Sequence, residues 1–225
     1  MNTLICPKIF GDSVKAFFTE KSVGADAERI SRLLSIRTEN IYLPIQKHTD
    51  GVLILDDDFT PKIADAVVTR RRGILIGVKV ADCVPVLLYD RKKSVIGVVH
   101  AGWRGTAAQI VKKTIAVMIK KFKSLQDDII IALGPCIRGS CYQVDFEVKD
   151  SVCKATGDGE YCIRKDKKYL IDLGSANMIQ AMSLGIPGGN IWLSSDCTHC
   201  NPDRYHSFRY SKQYNGSQGG FIGIL

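Results

Sequence analysis

The sequence predicts a mixed α/β (α+β) fold in which layered, mixed β-sheets are flanked by helices. Short apolar runs rich in β-branched residues outnumber the segments with helical periodicity, and the two clear helices interrupt those runs. The predicted strands are Ile41–Ile45, Val52–Leu55, Ala66–Thr69, Ile74–Val80, Val84–Tyr89, Val95–Val99, Ile129–Leu133 and Ile191–Leu193.

Apolar residues spaced three and four apart predict two helices. The first begins at Thr106, whose hydroxyl can act as the N-cap, and continues to Phe122. The second covers Leu173–Leu184 and stops at Gly185. Because no repeat, low-complexity tract or linker divides the chain, residues 1–225 are expected to form a single domain.

Composition excludes several classes of protein. Hydrophobic residues make up 45% of the chain and charged residues 24%, as in soluble globular proteins. The longest apolar run, Ile74–Tyr89, is interrupted by Lys79 and Asp82, so no transmembrane helix is expected. The N-terminal residues lack a secretory signal, which makes the cytoplasm the expected location. There the 8 cysteines stay reduced, free to bind a metal or to act in catalysis.

The net charge of +8 predicts attraction to anions. Basic residues cluster at 70–72, 120–123 and 164–168, without the interleaved aromatic residues of nucleic-acid-binding modules. We therefore expect mostly solvated surface at these clusters. Small anions such as phosphate are the expected partners, and nucleic acid is not.

Candidate metal ligands follow strand-like runs. His48 and His100 each end such a run, and Cys83 interrupts one, next to Asp82. A carboxylate inside an apolar run is costly unless it is paired or functional. One thiolate and two imidazoles suit a borderline metal such as zinc, and three protein ligands leave one position open for water or substrate.

Two further segments are candidate parts of a site. Arg104 lies in a glycine-flanked turn, where its guanidinium can hold phosphate or carboxylate through two hydrogen bonds. The segment from Gly134 to Tyr142 is rich in polar atoms and is expected to line a pocket. Cys197-Thr198-His199-Cys200, with His206 nearby, has metal-like spacing. No second Cys-x-x-Cys pair completes a structural zinc site there.

Several motifs together resemble those of the laccase-domain family, also known for polyphenol oxidase, purine nucleoside phosphorylase and peptidoglycan editing activities. They are Ala-Asp-Cys-Val-Pro, Val-His-Ala-Gly-Trp-Arg-Gly, Gly-Pro-Cys-Ile-x-x-x-Cys-Tyr-Gln-Val, Cys-Thr-x-Cys-Asn-Pro-Asp and Ser-Phe-Arg-Tyr. The resemblance implies one α/β domain with zinc bound by His48, Cys83 and His100. It also implies phosphorolysis of adenosine, inosine and methylthioadenosine, and deamination of adenosine.

The expected partners are thus purine nucleosides and phosphate, with the chain a monomer or homodimer. Asp82 and Arg104 are the predicted catalytic residues. The predicted substrate contacts are Arg104, Cys141, Tyr142 and Arg209. Two departures from the family pattern stand out. Gln46-Lys47-His48-Thr49 replaces the usual first histidine motif, and Asn215-Gly216-Ser217 replaces Thr-Gly-Arg, so a C-terminal arginine is missing.

Two other reaction classes remain as alternatives. Two histidines and a cysteine are also the ligands of a blue-copper centre, which would suit a copper-dependent polyphenol oxidase. However, the chain has only 4 histidines, too few for the additional copper cluster that oxygen reduction requires. A metal-free hydrolase could instead use Cys83 as nucleophile and His100 as base.

Overall fold

A computed structural model describes residues 4–225. The strands are β1 (Leu4–Ile5), β2 (Lys15–Thr19), β3 (Ile41–Tyr42), β4 (Val52–Ile54), β5 (Ala66–Thr69), β6 (Leu75–Val80), β7 (Val84–Asp90), β8 (Val95–Ala101), β9 (Ile129–Leu133), β10 (Gln143–Val144), β11 (Cys162–Lys165), β12 (Lys168–Ile171), β13 (Ile191–Leu193) and β14 (Gln218–Gly223). The α-helices are α1 (Ala27–Leu34), α2 (Trp103–Ala107), α3 (Ile110–Phe122), α4 (Phe146–Thr156), α5 (Leu173–Met182) and α6 (Phe208–Ser211).

These strands form two large mixed sheets and one small antiparallel sheet. The first large sheet has the order β1-β2-β14-β6-β3, with only the β3–β6 pair parallel. The second has the order β13-β9-β7-β8-β5-β4, with parallel pairs at both edges. The small sheet has the order β10-β12-β11.

The two large sheets pack face to face, and helices cover their outer faces. Consecutive residues of β2 show the layering, because neighbouring side chains in a strand point to opposite faces. Phe17 packs with Ile30 of α1, whereas Phe18 packs between the sheets with residues such as Leu87. On the far side, the six-stranded sheet packs against α3, α4 and α5. The predicted fold class is therefore confirmed.

The burial of the central strands explains why they could be predicted from the sequence. Every residue of β7 and of β8 is buried, since one face meets the other sheet and the opposite face meets helices. Strands buried on both faces read as continuous apolar runs. The predicted strand Ile41–Ile45 is shorter than expected: β3 ends at Tyr42, and Ile45 forms one isolated bridge with Ile63.

The predicted helix start at Thr106 is wrong. Helix α2 begins earlier, with Gly102 as its N-cap, and Gln109 at φ 58° separates it from α3. The Thr106 hydroxyl instead donates to the Gly102 carbonyl and accepts from Asn177 of α5. Thr106 is thus a buried link between helices. Over residues 4–225, no helix has both the length and the hydropathy needed to cross a membrane.

Candidate metal centre and substrate cavity

The antiparallel pairing of β8 with β7 and with β5 places Cys83 and His100 side by side at one end of these strands. In the β7–β8 pair, Val84 faces Ala101, so the residue before β7 lies beside the end of β8. Strand β5 pairs with β8 from the other side and starts immediately after Asp65. The His100 N–H accordingly donates to the Asp65 carbonyl at 2.8 Å. Antiparallel pairing therefore gathers these three residues although they are distant in sequence.

Asp65 is fully buried, and its carboxylate holds the loop that carries His48 in place. One carboxylate oxygen accepts from His100 Nδ1 at 2.8 Å and from the His48 N–H at 3.1 Å. The other accepts from the Thr49 N–H and hydroxyl, both at 2.7 Å, and from the Lys47 N–H at 3.2 Å. This carboxylate holds the loop around His48, which has φ 58°, against the end of β8.

The hydrogen bond to Asp65 also fixes the tautomer of His100. With Nδ1–H donated to the carboxylate, Nε2 is the ring nitrogen that remains to bind a metal or a proton. A carboxylate behind a histidine is a common arrangement in metal sites, where it orients the ring and increases its basicity.

The structure brings His48, Cys83 and His100 together. Their ligand atoms all lie within 4.8 Å of one another, and the two imidazole rings are 4.8 Å apart at 80°. Tetrahedral zinc with bonds of about 2.0–2.3 Å needs ligand atoms about 3.3–3.8 Å apart, so small side-chain movements suffice. His100 is buried and His48 is exposed, which leaves one side of the group open to the cavity described below.

Gly102 makes room for this group. A Cβ atom at this position would lie 3.0 Å from Cys83 Sγ and 3.4 Å from His48 Cδ2. The backbone of Gly102 has an ordinary φ of −74°, so the requirement for glycine here comes from close packing against the two side chains.

Electrostatics favour the ionised forms of Cys83 and His100. Burial raises the pKa of Cys83, but His100, with a smaller contribution from His48, outweighs burial and lowers it to about 6. Burial lowers the pKa of His100, but Cys83 and Asp65 together raise it to about 9. Without metal, both shifts favour a thiolate–imidazolium pair over the neutral thiol and imidazole. A preformed thiolate is the form that binds metals and attacks electrophiles.

A cavity of about 870 Å³ opens onto the three side chains. That volume is ample for a small-molecule ligand. Three cationic side chains line it, those of Lys79, Arg104 and Arg209. Within residues 4–225 none of the three forms an ion pair. The aromatic residues in the lining are Trp103, Tyr142, Phe208 and Tyr214.

Two of the cations lie over aromatic rings. The Arg104 guanidinium is 4.4 Å from the Trp103 ring centre, and that of Arg209 is 5.0 Å from the Tyr142 ring centre. Burial raises the pKa of Tyr142 to about 12, so its phenol stays neutral. The predicted residues Arg104, Tyr142 and Arg209 thus meet in one cavity that attracts anions.

Two other predicted residues have different surroundings. Asp82 borders the cavity, but one of its oxygens accepts from the Thr198 hydroxyl at 2.6 Å and the other from the Arg209 N–H at 2.7 Å. Cys141 is not in the cavity lining. Its thiol lies 3.1 Å from that of Cys200, outside the cavity.

Sequence reasoning missed Asp65 and Gly102. A signal for Asp65 was present: it stands between Ala64 and Ala66 at the start of an apolar run, the same pattern that singled out Asp82. The role of Gly102 had no sequence signal beyond its place in the His-Ala-Gly-Trp motif, because it depends on side chains from two other segments.

Fold and motifs together define a laccase-like protein, and comparison with known families confirms this. The chain belongs to the family described as "Multi-copper polyphenol oxidoreductase laccase", whose model matches residues 15–225. The chain is 27% identical to Bacillus licheniformis hypothetical protein YfiH, with a TM-score of 0.87 over 94% of this chain and 93% of that one. For YlmD from Geobacillus stearothermophilus the TM-score is 0.88 at 25% identity, over 97% and 93% of the two chains.

Relatives with assigned activities are also similar in sequence. A protein from Bacteroides thetaiotaomicron named purine nucleoside phosphorylase is 34% identical over 83% of this chain and 76% of its own length. Adenosine deaminase RL5, from an unknown prokaryotic organism, is 34% identical over 83% of this chain and 79% of its own.

Proposed function

We propose that this chain is a zinc-dependent purine nucleoside enzyme. It phosphorolyses adenosine, inosine and methylthioadenosine, and it deaminates adenosine. One observation carries the proposal: the His48, Cys83 and His100 side chains open onto a cavity that also holds unpaired cations and aromatic rings. The names of the two relatives with assigned activities support the same substrate class.

Zinc fits the donor set better than a multi-copper centre does. His48 and His100 stand together, but His199 belongs to a separate cysteine group, and the His206 ring packs against Gly216. The 4 histidines of the chain are therefore divided among three places. A copper cluster for oxygen reduction needs many histidines at one place, which argues against the polyphenol oxidase alternative.

When bound by these three residues, zinc would supply Lewis acidity and lower the pKa of a coordinated water to about 7. The protein's own part is to hold the ligands ready. Asp65 keeps the Nδ1 proton of His100, so that Nε2 is the nitrogen that would lose its proton and bind the metal. Gly102 leaves space for Cys83 and His48 to approach each other.

The cavity residues have complementary roles in binding a nucleoside and phosphate. Arg104 is the proposed phosphate ligand, since its planar guanidinium offers two parallel hydrogen bonds. Helix α2 has only 5 residues, so the guanidinium itself, more than the helix dipole, would attract the anion. Arg209 and Tyr142, which also line the cavity, are proposed to contact the substrate, with the neutral Tyr142 ring stacking on a purine.

Asp82 is proposed to act mainly through position. Both of its oxygens are engaged, so it orients the backbone before Cys83 and the start of α6, from which Arg209 reaches the cavity. Proton transfer by Asp82 would first require one of these hydrogen bonds to open.

A second candidate function is favoured by one specific observation. Asp65 accepts a hydrogen bond from His100, and the Cys83 sulfur lies within 4.8 Å of the His100 ligand nitrogen, which gives the order carboxylate, imidazole, thiol. The same order occurs in cysteine hydrolases, where the thiolate is the nucleophile. In that reading His48 has no essential role, which gives a clear distinction from the zinc enzyme.

Activity and metal content measured on the same samples test the proposal. Protein purified under reducing conditions should convert adenosine to inosine, and with phosphate it should release free base and ribose 1-phosphate. A zinc chelator should abolish both reactions, and zinc should restore them.

The matched variants are Cys83→Ala and His48→Ala, with Cys6→Ala as the control because Cys6 is exposed and remote from the cavity. The first two should lose zinc from this site and lose both activities. Activity that survives chelation and the His48→Ala change, but not alkylation of Cys83, would instead establish the cysteine hydrolase.

A further inference from the structure

Outside the cavity, three more ligand-type side chains come together. The ligand atoms of Cys141, His199 and Cys200 all lie within 4.8 Å of one another. The Cys141 and Cys200 sulfurs are 3.1 Å apart, and both thiols are free. Cys197, which stands two residues before His199 on the same loop, is close enough to both thiols to influence their pKa values. Two sulfurs and one imidazole therefore already meet, and a third sulfur, that of the buried Cys197, lies beside them.

We propose that Cys141, Cys197, His199 and Cys200 form a second zinc site, structural in nature and separate from the site in the cavity. Three cysteines and one histidine are a usual ligand set for structural zinc, which is four-coordinate and closed to substrate. The donor set is soft enough to discriminate against magnesium and calcium. On binding, each thiol releases its proton and the zinc replaces it.

Sheet topology explains how distant segments supply these ligands. Strands β9 and β13 are parallel neighbours, so the loops that follow them leave the same edge of the sheet. The two loops then pair with each other: Cys136 and Cys197 form a parallel bridge, and the Thr198 N–H donates to the Cys136 carbonyl at 3.1 Å. This pairing carries Cys141 on one loop towards Cys200 on the other.

Backbone and ring contacts further orient the ligands. The Arg138 N–H donates to Cys197 Sγ at 3.4 Å, a contact that stabilises negative charge on sulfur. The His199 ring packs edge-on against Tyr210 of α6 at 5.7 Å. Such contacts outside the ligands fix their orientation in metal sites.

The sequence pattern located only part of this group. Cys197, His199 and Cys200 were recognised from their spacing, with His206 as the nearby histidine. In the structure His206 lies elsewhere, against Gly216, and Cys141 takes the remaining place. The missing fourth ligand is therefore supplied by the loop after β9, which no Cys-x-x-Cys pattern would reveal.

The position of the group indicates what the zinc would stabilise. Thr198, between two proposed ligands, donates to Asp82, and Asp82 also accepts from the Arg209 N–H. A metal here would thus fasten the loops after β9 and β13 and the start of α6 to the segment before Cys83. It would hold one wall of the cavity without touching substrate.

Zinc content gives the direct test, because it does not depend on which reaction the enzyme performs. Wild-type protein expressed with zinc under reducing conditions should contain about two zinc ions per chain. Cys200→Ser and His199→Ala should each contain about one, and so should His48→Ala, which removes a ligand of the cavity group. The exposed Cys6→Ser is the matched control and should keep about two.

Cobalt substitution assigns each loss to a site. The His48→Ala variant should keep the strong thiolate-to-cobalt absorption of a multi-cysteine site, and adding Cys200→Ser should abolish it. Circular dichroism checks that each variant is folded, and His199→Ala serves if Cys200→Ser does not fold.

A full zinc complement in both Cys200→Ser and His199→Ala would overturn the second site. So would wild-type protein with about one zinc, lost in His48→Ala. A disulfide between Cys141 and Cys200 in protein isolated under the same reducing conditions would also overturn it. Failure of the proposed purine activity would leave these zinc measurements unaffected.

Discussion

Replacing Asp65 by Asn should weaken zinc binding and destabilise the fold, although Asp65 is not itself a ligand. Asn keeps the shape of the side chain but has one acceptor oxygen and one NH₂ group. If its oxygen stays with His100, the NH₂ group faces the Lys47 and Thr49 N–H groups, which now donate to the carboxylate at 3.2 and 2.7 Å. Two backbone donors then lose their acceptor in a partly buried place.

The size of the effect follows from these contacts. Each unsatisfied donor costs about 1–3 kcal/mol. Because the loop is only partly buried, we expect the free energy of unfolding of the metal-free protein to fall by about 3 kcal/mol. Loss of a carboxylate behind a ligating histidine typically lowers metal affinity by about 10–100-fold, and the looser His48 loop acts in the same direction.

Asp90→Asn is the matched control. Asp90 is also fully buried, but it lies at the other end of β7 and uses one oxygen to accept from the Lys92 and Lys93 N–H groups. Among residues 4–225 its second oxygen has no hydrogen-bond partner, so an Asn NH₂ group can take that place with little loss.

Urea unfolding of metal-free protein and competition for zinc with a fluorescent chelator measure the two effects. Unchanged zinc affinity in Asp65→Asn would refute the assigned role of Asp65, as would an equal loss of affinity in Asp90→Asn.

Three further predictions concern the same cavity. Gly102→Ala should lower zinc affinity about 10-fold, because the new methyl group meets Cys83 Sγ at 3.0 Å, whereas Gly189→Ala, with open space around it, should not. The rate of Cys83 alkylation in metal-free protein should increase with pH around a midpoint of about 6, since its lowered pKa makes the thiolate available above that pH. His100→Ala should move this midpoint to higher pH, and bound zinc should block the labelling. Arg104→Lys should raise the phosphate KM of phosphorolysis about 10-fold but affect deamination less, because a point charge replaces a two-pronged donor; equal losses in steady-state assays of both reactions would contradict a phosphate-binding role.

The sequence predicted best those strands that are buried on both faces. Strands β7 and β8 are covered on both faces, so their continuous apolar runs identified them directly. Strand β14 lies at the centre of its sheet yet was missed, because Gly219, Gly220 and Gly223 dilute its apolar signal. Added Cβ atoms at these positions would meet neighbouring strands and rings at 2.5–3.2 Å, so tertiary packing, and not local preference, selects the glycines.

Some residues of the candidate site could likewise be predicted from the local sequence, whereas the contacts of others depend on the tertiary structure. Cys83 and His100 were recognisable because each borders an apolar strand, and pairing of those strands brings the two residues together. His48 was recognisable as a residue, but its place in the group depends on a buried carboxylate 17 positions further along the chain. The sequence marks Asp65 only as a carboxylate at the start of an apolar run, and its contacts with His48 and His100 are set by the tertiary structure. The same holds for the approach of Cys141 to Cys200, which are 59 positions apart.

Asp82 connects the two proposed metal sites structurally. The chain passes from the five-stranded to the six-stranded sheet between β6 and β7, and Asp82 makes this crossing with φ 90°. A non-glycine residue in that conformation costs about 1–3 kcal/mol and persists only where its surroundings hold it. Here the Thr198 hydroxyl donates to one carboxylate oxygen and the Arg209 N–H to the other. This crossing places Cys83 next to His100. The same two hydrogen bonds hold the loop that contains Thr198 and the start of α6 against the wall of the cavity. A strained turn is therefore the link through which metal at the surface group would stiffen the wall of the cavity.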